Sequence, residues 1–96
     1  MDFKIPKKLI LGGNNITIEI VGSCKDCGNT AYGLALFKEN KIQIVKADNK
    51  DFMNNTFFHE LTHFILNLIG EDDLSNNEKL VNQKGLLIHQ AIKTME

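Results

Sequence analysis

Residues Asn49 to Gly70 read NKDFMNNTFFHELTHFILNLIG, and the apolar positions in this stretch recur at helical rather than strand spacing. At about 100° per residue, Phe57, Leu61, Phe64, Ile65 and Leu68 share one broad stripe, which is expected to pack on a sheet. His59 and His63 fall on the opposite side, flanked by Thr56, Glu60 and Asn67. Gly70 is placed to end the helix in the left-handed conformation that glycine adopts without steric cost.

Upstream of this helix the period shortens to two. Leu9 to Leu11 and Ile16 to Val21 flank Gly12-Gly13-Asn14-Asn15 and read as a hairpin, with Ile16, Ile18 and Ile20 giving one apolar face. Ala31 to Phe37 and Ile42 to Val45 flank Lys38-Glu39-Asn40-Lys41 and read as a second hairpin. Downstream, a last helix from about Ser75 to Thr94 carries Leu80, Val81, Leu87, Ile88, Ala91, Ile92 and Met95 on its inward side. The expected fold is therefore α+β, with a small three- or four-stranded sheet of two hairpins covered by two C-terminal helices. No repeat, low-complexity segment or linker divides the chain, so residues 1–96 are expected to form one domain.

With 96 residues the chain is near the lower size limit for a single hydrophobic core, and a bound metal would add usefully to its stability. The residues are 43% hydrophobic and 24% charged with a net charge of -1, an ordinary globular balance that makes no electrostatic case for nucleic acid. Lys4, Lys7 and Lys8 read as a solvated surface cluster. The opening residues lack the apolar run of a secretory signal, and no later run is long enough to cross a membrane. These features point to a cytoplasmic location with no membrane partner. Cys24 and Cys27 lack the second pair that a zinc knuckle or ribbon needs, and read as incidental loop thiols rather than a metal or redox site.

The chemistry is concentrated in His59-Glu60-Leu61-Thr62-His63. Residues four apart on a helix sit one turn above each other, so both imidazoles can converge on one tetrahedral cation such as Zn2+. Glu60, rotated by about 100°, is badly placed to be an equal ligand but can reach a water held by the metal. Zinc lowers the pKa of that water, and a carboxylate can take its proton and pass it to a leaving amine. In a chain of this composition the pattern arises by chance in about half a per cent of cases. The spacing thus assigns His59 and His63 to the metal and Glu60 to catalysis.

A catalytic zinc needs a third protein ligand, and the downstream candidates are Glu71, Asp72, Asp73, Glu78 and His89. Glu78 shares a stripe with Val81, Gly85, Ile88 and Ile92, and Gly85 would let the two helices approach closely. The competing reading makes Ser75-Asn76-Asn77-Glu78 a capping box, with Glu78 bonded back to the Ser75 amide. For Glu78 to reach the metal, residues 71–75 must climb back beside the first helix, a distance that their reach of about 17 Å permits. His89 lies about 16 Å beyond Glu78 along the helix and is expected to be structural. Tyr32 or His89 could offer a hydrogen bond to a developing oxyanion, but spacing places neither.

These features, with Tyr32-Gly33 before the helix and Leu74-Ser75 and Glu78-Lys79-Leu80-Val81 after it, resemble the small zincin-like metallopeptidases of phages and prophages. Their broader relatives are the ImmA/IrrE-type peptidases. The resemblance spans roughly residues 31 to 95. It implies a minimal zincin-like fold, a site of His59, His63 and Glu78 with Glu60 catalytic, and hydrolysis of a protein or peptide substrate, for instance a regulatory protein such as a repressor. The alternative is a catalytically inactive zinc-binding interaction module of the same origin. Retention of Glu60 favours the enzyme, because a structural zinc gains nothing from a water-activating carboxylate and prefers four protein ligands.

Overall fold

The computed structural model describes residues 3–22 and 32–95. Cys24 and Cys27 lie outside the described residues. Strands β1 (Lys8–Leu11), β2 (Asn14–Val21), β3 (Gly33–Leu36) and β4 (Lys41–Val45) are followed by helices α1 (Lys50–Leu68), α2 (Asp72–Ser75) and α3 (Glu78–Lys93). The fold is α+β, as expected, with a four-stranded sheet in the order β1-β2-β4-β3.

Each hairpin forms, but the two join differently from a simple meander. In the first, Leu11 pairs with Asn14, so the turn is the dipeptide Gly12-Gly13 alone, with φ of 54° and 80°. Two consecutive positive φ values give the twist that matches right-handed strands, and glycine reaches them freely. Asn14 and Asn15 belong to β2, not to the turn. In the second hairpin a single 3-10 turn, Phe37–Glu39, leads to Asn40 at φ 50° before β4 begins. The hairpins are sewn together by parallel pairing of β2 with β4, Ile18 opposite Ile42 and Ile20 opposite Ile44. This arrangement leaves β3 at one edge of the sheet.

Period-two alternation sends Ile16, Ile18, Ile42 and Ile44 to one face, where they are buried against Phe57, Phe58 and Phe64 of α1. Ile20, expected on that face, lies near the strand end and stays about half exposed. The other face is polar: Gln43 donates to Glu19 at 3.1 Å and the Lys41 ammonium stands 3.5 Å from the same carboxylate. A sheet with one packed and one wet face needs only one covering layer.

Helix α1 is capped by Asn49, whose side chain accepts from the Phe52 amide at 3.1 Å. Its burial is wider than the expected stripe, because α3 covers a second side. Phe58 and Thr62 are buried along with Phe57 and Phe64, whereas Leu68 is 40% exposed. The inward face of α3 is correspondingly narrower than expected. Val81, Gly85 and His89 are buried and Ile88 and Ile92 partly so, while Leu87, Ala91 and Met95 face outward.

The α1–α3 crossing depends on Gly85. A Cβ there would stand 3.0 Å from the His59 amide nitrogen and 3.1 Å from the Phe58 carbonyl carbon. Backbone atoms inside a helix cannot step aside as a flexible side chain can. Gly85→Ala is therefore expected to destabilise the protein: overpacking costs about 1–3 kcal/mol, against about 1 kcal/mol gained in helix propensity. The midpoint of urea unfolding reads the net loss, and a stabilised variant would show that the helices can part cheaply.

Candidate metal centre

The register of α1 sets His59 and His63 one turn apart, with ring centroids separated by 5.0 Å and planes inclined at 67°. What brings a third group to them is the reversal after α1. Gly70 adopts φ 80° and its amide bonds to the Asn67 carbonyl at 3.1 Å, while the Glu71 amide bonds to the Leu66 carbonyl at 2.8 Å. This pair of bonds satisfies carbonyls that the helix end would otherwise leave open and turns the chain back on itself. The short α2 then climbs beside α1 and delivers Glu78 to the histidines.

The Glu78 carboxylate meets both rings: Oε2 lies 2.9 Å from His59 Nε2 and Oε1 lies 3.2 Å from His63 Nε2. One ligand atom from each of His59, His63 and Glu78 can be chosen so that all three lie within 4.8 Å of one another, and the group can hold a metal ion. Of the rival acids, Glu71, Asp72 and Asp73 are exposed and outside this group, and Asp72 instead accepts a 3.4 Å hydrogen bond from Asn67.

The capping box at Ser75, the alternative to a ligand role for Glu78, does not form. Asn77 caps α3, its side chain accepting from the Leu80 amide at 3.1 Å, so Glu78 is the first residue of the helix and its carboxylate is free to face the histidines. Ser75 is the last residue of α2, buried, and turned toward His63. Its Oγ lies 3.1 Å from His63 Nδ1 and 3.4 Å from the His63 carbonyl oxygen. A hydroxyl has one proton. Donated to the carbonyl, it leaves Oγ to accept from Nδ1–H, which places the neutral imidazole's proton on Nδ1 and the lone pair on Nε2, facing Glu78. Nothing in the spacing of the sequence singled out Ser75 for this role. Ser75→Ala is expected to lower metal affinity about 10- to 100-fold with the helices intact, the range for removing a group that orients a ligand. Competition with a chromophoric chelator measures it; unaltered affinity would show that packing alone orients the ring.

Glu60 is 8% exposed and makes no ion pair with a cation among the described residues. Burial, reinforced by the negative charge of Glu78, pushes its pKa up to about 7. Part of that burial comes from β3. A Cβ on Gly33 would stand 2.7 Å from Thr56 Cγ2 and 3.2 Å from Glu60 Cγ, so the bare glycine lets the edge strand close over the carboxylate. Burial also holds the His63 pKa below its ordinary value, and Glu78 opposes that shift.

The site opens into a groove of about 810 Å³ between β3, α1 and α3. Its lining includes Tyr32, whose ring stands edge-on to Phe52 at 4.8 Å and which is more than half exposed. His89 is not at the metal group. It is buried, stacked on Phe58 at 5.4 Å, and hydrogen-bonded to Asn55, in keeping with the structural role expected of it. No helix among the described residues is long and apolar enough to cross a membrane.

No family model, curated protein or solved structure matches this chain.

Proposed function

We propose that this chain is a zinc-dependent peptidase, with His59, His63 and Glu78 holding the ion and Glu60 as general base and acid. The observation that carries the proposal is a buried carboxylate, without a cationic partner among the described residues, beside a two-histidine, one-carboxylate group lining an open groove. The donor set suits zinc, which takes imidazole nitrogen and carboxylate oxygen at about 2.0–2.2 Å and so holds ligand atoms about 3.3 Å apart in a tetrahedron. The two contacts of Glu78 are already near that spacing, at 2.9 and 3.2 Å. Three protein ligands leave the fourth position for water, the arrangement of a catalytic rather than a structural site.

When bound, zinc supplies an acidified water and polarises a substrate carbonyl. Glu60 accepts the proton as the nucleophile forms and returns it to the leaving amine, a double role open to a carboxylate set beside the ion's ligands. A cation beside Glu60 offsets its burial and favours the ionised, basic form. Ser75 holds the His63 ring, and Gly33 lets the edge strand close over the carboxylate. An interaction module holding zinc for stability alone would have no use for an acid kept at this desolvation cost. The resemblance to small phage and prophage zincin-like peptidases supports the same reading, with a cytoplasmic regulatory protein such as a repressor as substrate.

The test is direct. Purified protein is expected to carry close to one zinc per chain, and incubation with a cell extract should create new peptide N-termini. These termini should be absent with a His59→Ala, His63→Ala protein that has lost the metal. A metal-replete protein that generates no new termini against a broad extract would favour the inactive module.

A further inference from the structure

His89 is a buried titratable group that the metal centre does not use. It stacks on Phe58, and its Nδ1 is hydrogen-bonded to Oδ1 of Asn55 across the α1–α3 interface. Asn55 has a second identity: it lines the groove, on the same face of α1 as His59 and one turn before it. A side-chain amide has one oxygen and one nitrogen. With the oxygen engaged by His89, the group that Asn55 can offer is its NH2, and no hydrogen-bond partner engages that nitrogen among the described residues. Both the imidazolium and the Nδ1–H tautomer of His89 can donate this bond, so the arrangement does not depend on the charge of the ring.

We propose that Asn55 is a substrate-binding residue that donates a hydrogen bond to a main-chain carbonyl of a peptide lying in the groove, and that His89 is the positioning residue that aims it. The inference rests on the peptidase reading and deepens it. Four residues of helix rise about 6 Å, so Asn55 stands about two extended residues from His59 along α1. A carbonyl at that remove is presented by every peptide whatever its side chains. The contact therefore selects for an extended chain rather than for a particular sequence, and it holds the chain in register against Glu60. Of the α1 residues that line the groove before His59, Asn55 and Thr56 carry polar side chains, and the Thr56 hydroxyl is occupied by the Phe52 carbonyl at 3.0 Å.

Two probes separate this contact from metal binding: acetohydroxamate, which has no peptide chain, and a tripeptidyl hydroxamate, which adds main-chain carbonyls to the same metal-binding group. The ratio of their affinities for the zinc-loaded protein reports what the chain contributes. Asn55→Asp keeps the shape and the bond from His89 but has no donor, and Asn55→Leu removes both polar atoms without adding charge. Each is expected to cut the ratio about tenfold, the loss of one hydrogen bond to a neutral group. His89→Leu should lower the ratio with Asn55 present, and His89→Gln, which can still donate to Asn55, should restore it. Ratios unchanged in both Asn55 variants would overturn the proposal while leaving the peptidase reading in place. A loss in His89→Leu that Gln fails to restore would overturn the positioning role. Failure of the wild-type protein to bind either hydroxamate would overturn the peptidase reading, and this inference with it.

Discussion

Glu60→Gln is expected to abolish peptide hydrolysis, to leave metal binding intact, and to make the metal-free protein more stable above neutral pH. The amide matches the carboxylate in shape but cannot accept a proton, and loss of a general acid–base group costs about 10²- to 10⁴-fold in rate. The stability effect follows from desolvation. In the folded, metal-free chain the Glu60 pKa is raised from 4.5 to about 7. Between those values the folded state keeps a proton that the unfolded state has lost, so stability falls as pH rises through this window and stays lower above it. Ionising the buried group costs up to about 3 kcal/mol. Gln at this position carries no such cost. His63 works the other way, since its depressed pKa removes stability as pH falls below its ordinary value of 6.5, but both proteins share that effect and it cancels in their difference. Urea unfolding with a chelator present should show the two proteins alike near pH 4.5 and the variant ahead by pH 8. Normal cleavage by the variant would remove Glu60 from the mechanism, and equal stability at pH 8 would mean that the carboxylate escapes to water.

Glu78→Gln is expected to weaken zinc binding by about 100-fold or more, equivalent to about 3 kcal/mol, because a neutral amide is a far poorer ligand for the dication than a charged carboxylate. The fold should survive. The Glu78 side chain is 69% exposed, so it fills no place in the core, and the start of α3 is secured by Asn77. Asn77→Ala supplies the control: it removes the cap at a cost of about 1 kcal/mol and leaves both histidines and the carboxylate in place, with zinc affinity little changed. Competition with a chelator gives the affinities and thermal unfolding gives the stabilities. Retention of full affinity by Glu78→Gln would exclude it as the third ligand. A large loss in Asn77→Ala would show that the site depends on the helix start rather than on the carboxylate.

How much was legible beforehand varies with the range of the interaction. The His59-Glu60-Leu61-Thr62-His63 spacing defines its own geometry, because one helical turn is rigid and both imidazoles sit on it. Gly85 was readable for a related reason: a missing side chain on an otherwise apolar stripe marks a close approach, and His59 and Phe58 supply the backbone it meets. The competing capping-box reading of Ser75 fails because the Ser-x-x-Glu pattern is local and an Asn two residues later takes the cap. A cap at Asn77 lets Ser75 stay in α2 and bond to His63, a preference decided by a contact 12 residues distant. The burial of α1 was underestimated for a similar reason, since a single hydrophobic stripe describes a helix with one neighbour and this helix has two.

Helix and strand periods, the existence of two hairpins, the histidine pair one turn apart and the acid between them were determined by the sequence alone, because each rests on residues within a few positions of one another. The tertiary structure decided which acid joins the histidines, the parallel seam between β2 and β4, the burial that raises the Glu60 pKa, and the pairing of His89 with Asn55. These depend on how far the chain reverses after Gly70 and how closely α3 and β3 approach α1. Such distances emerge only when all the packed surfaces are satisfied together, and no local spacing records them.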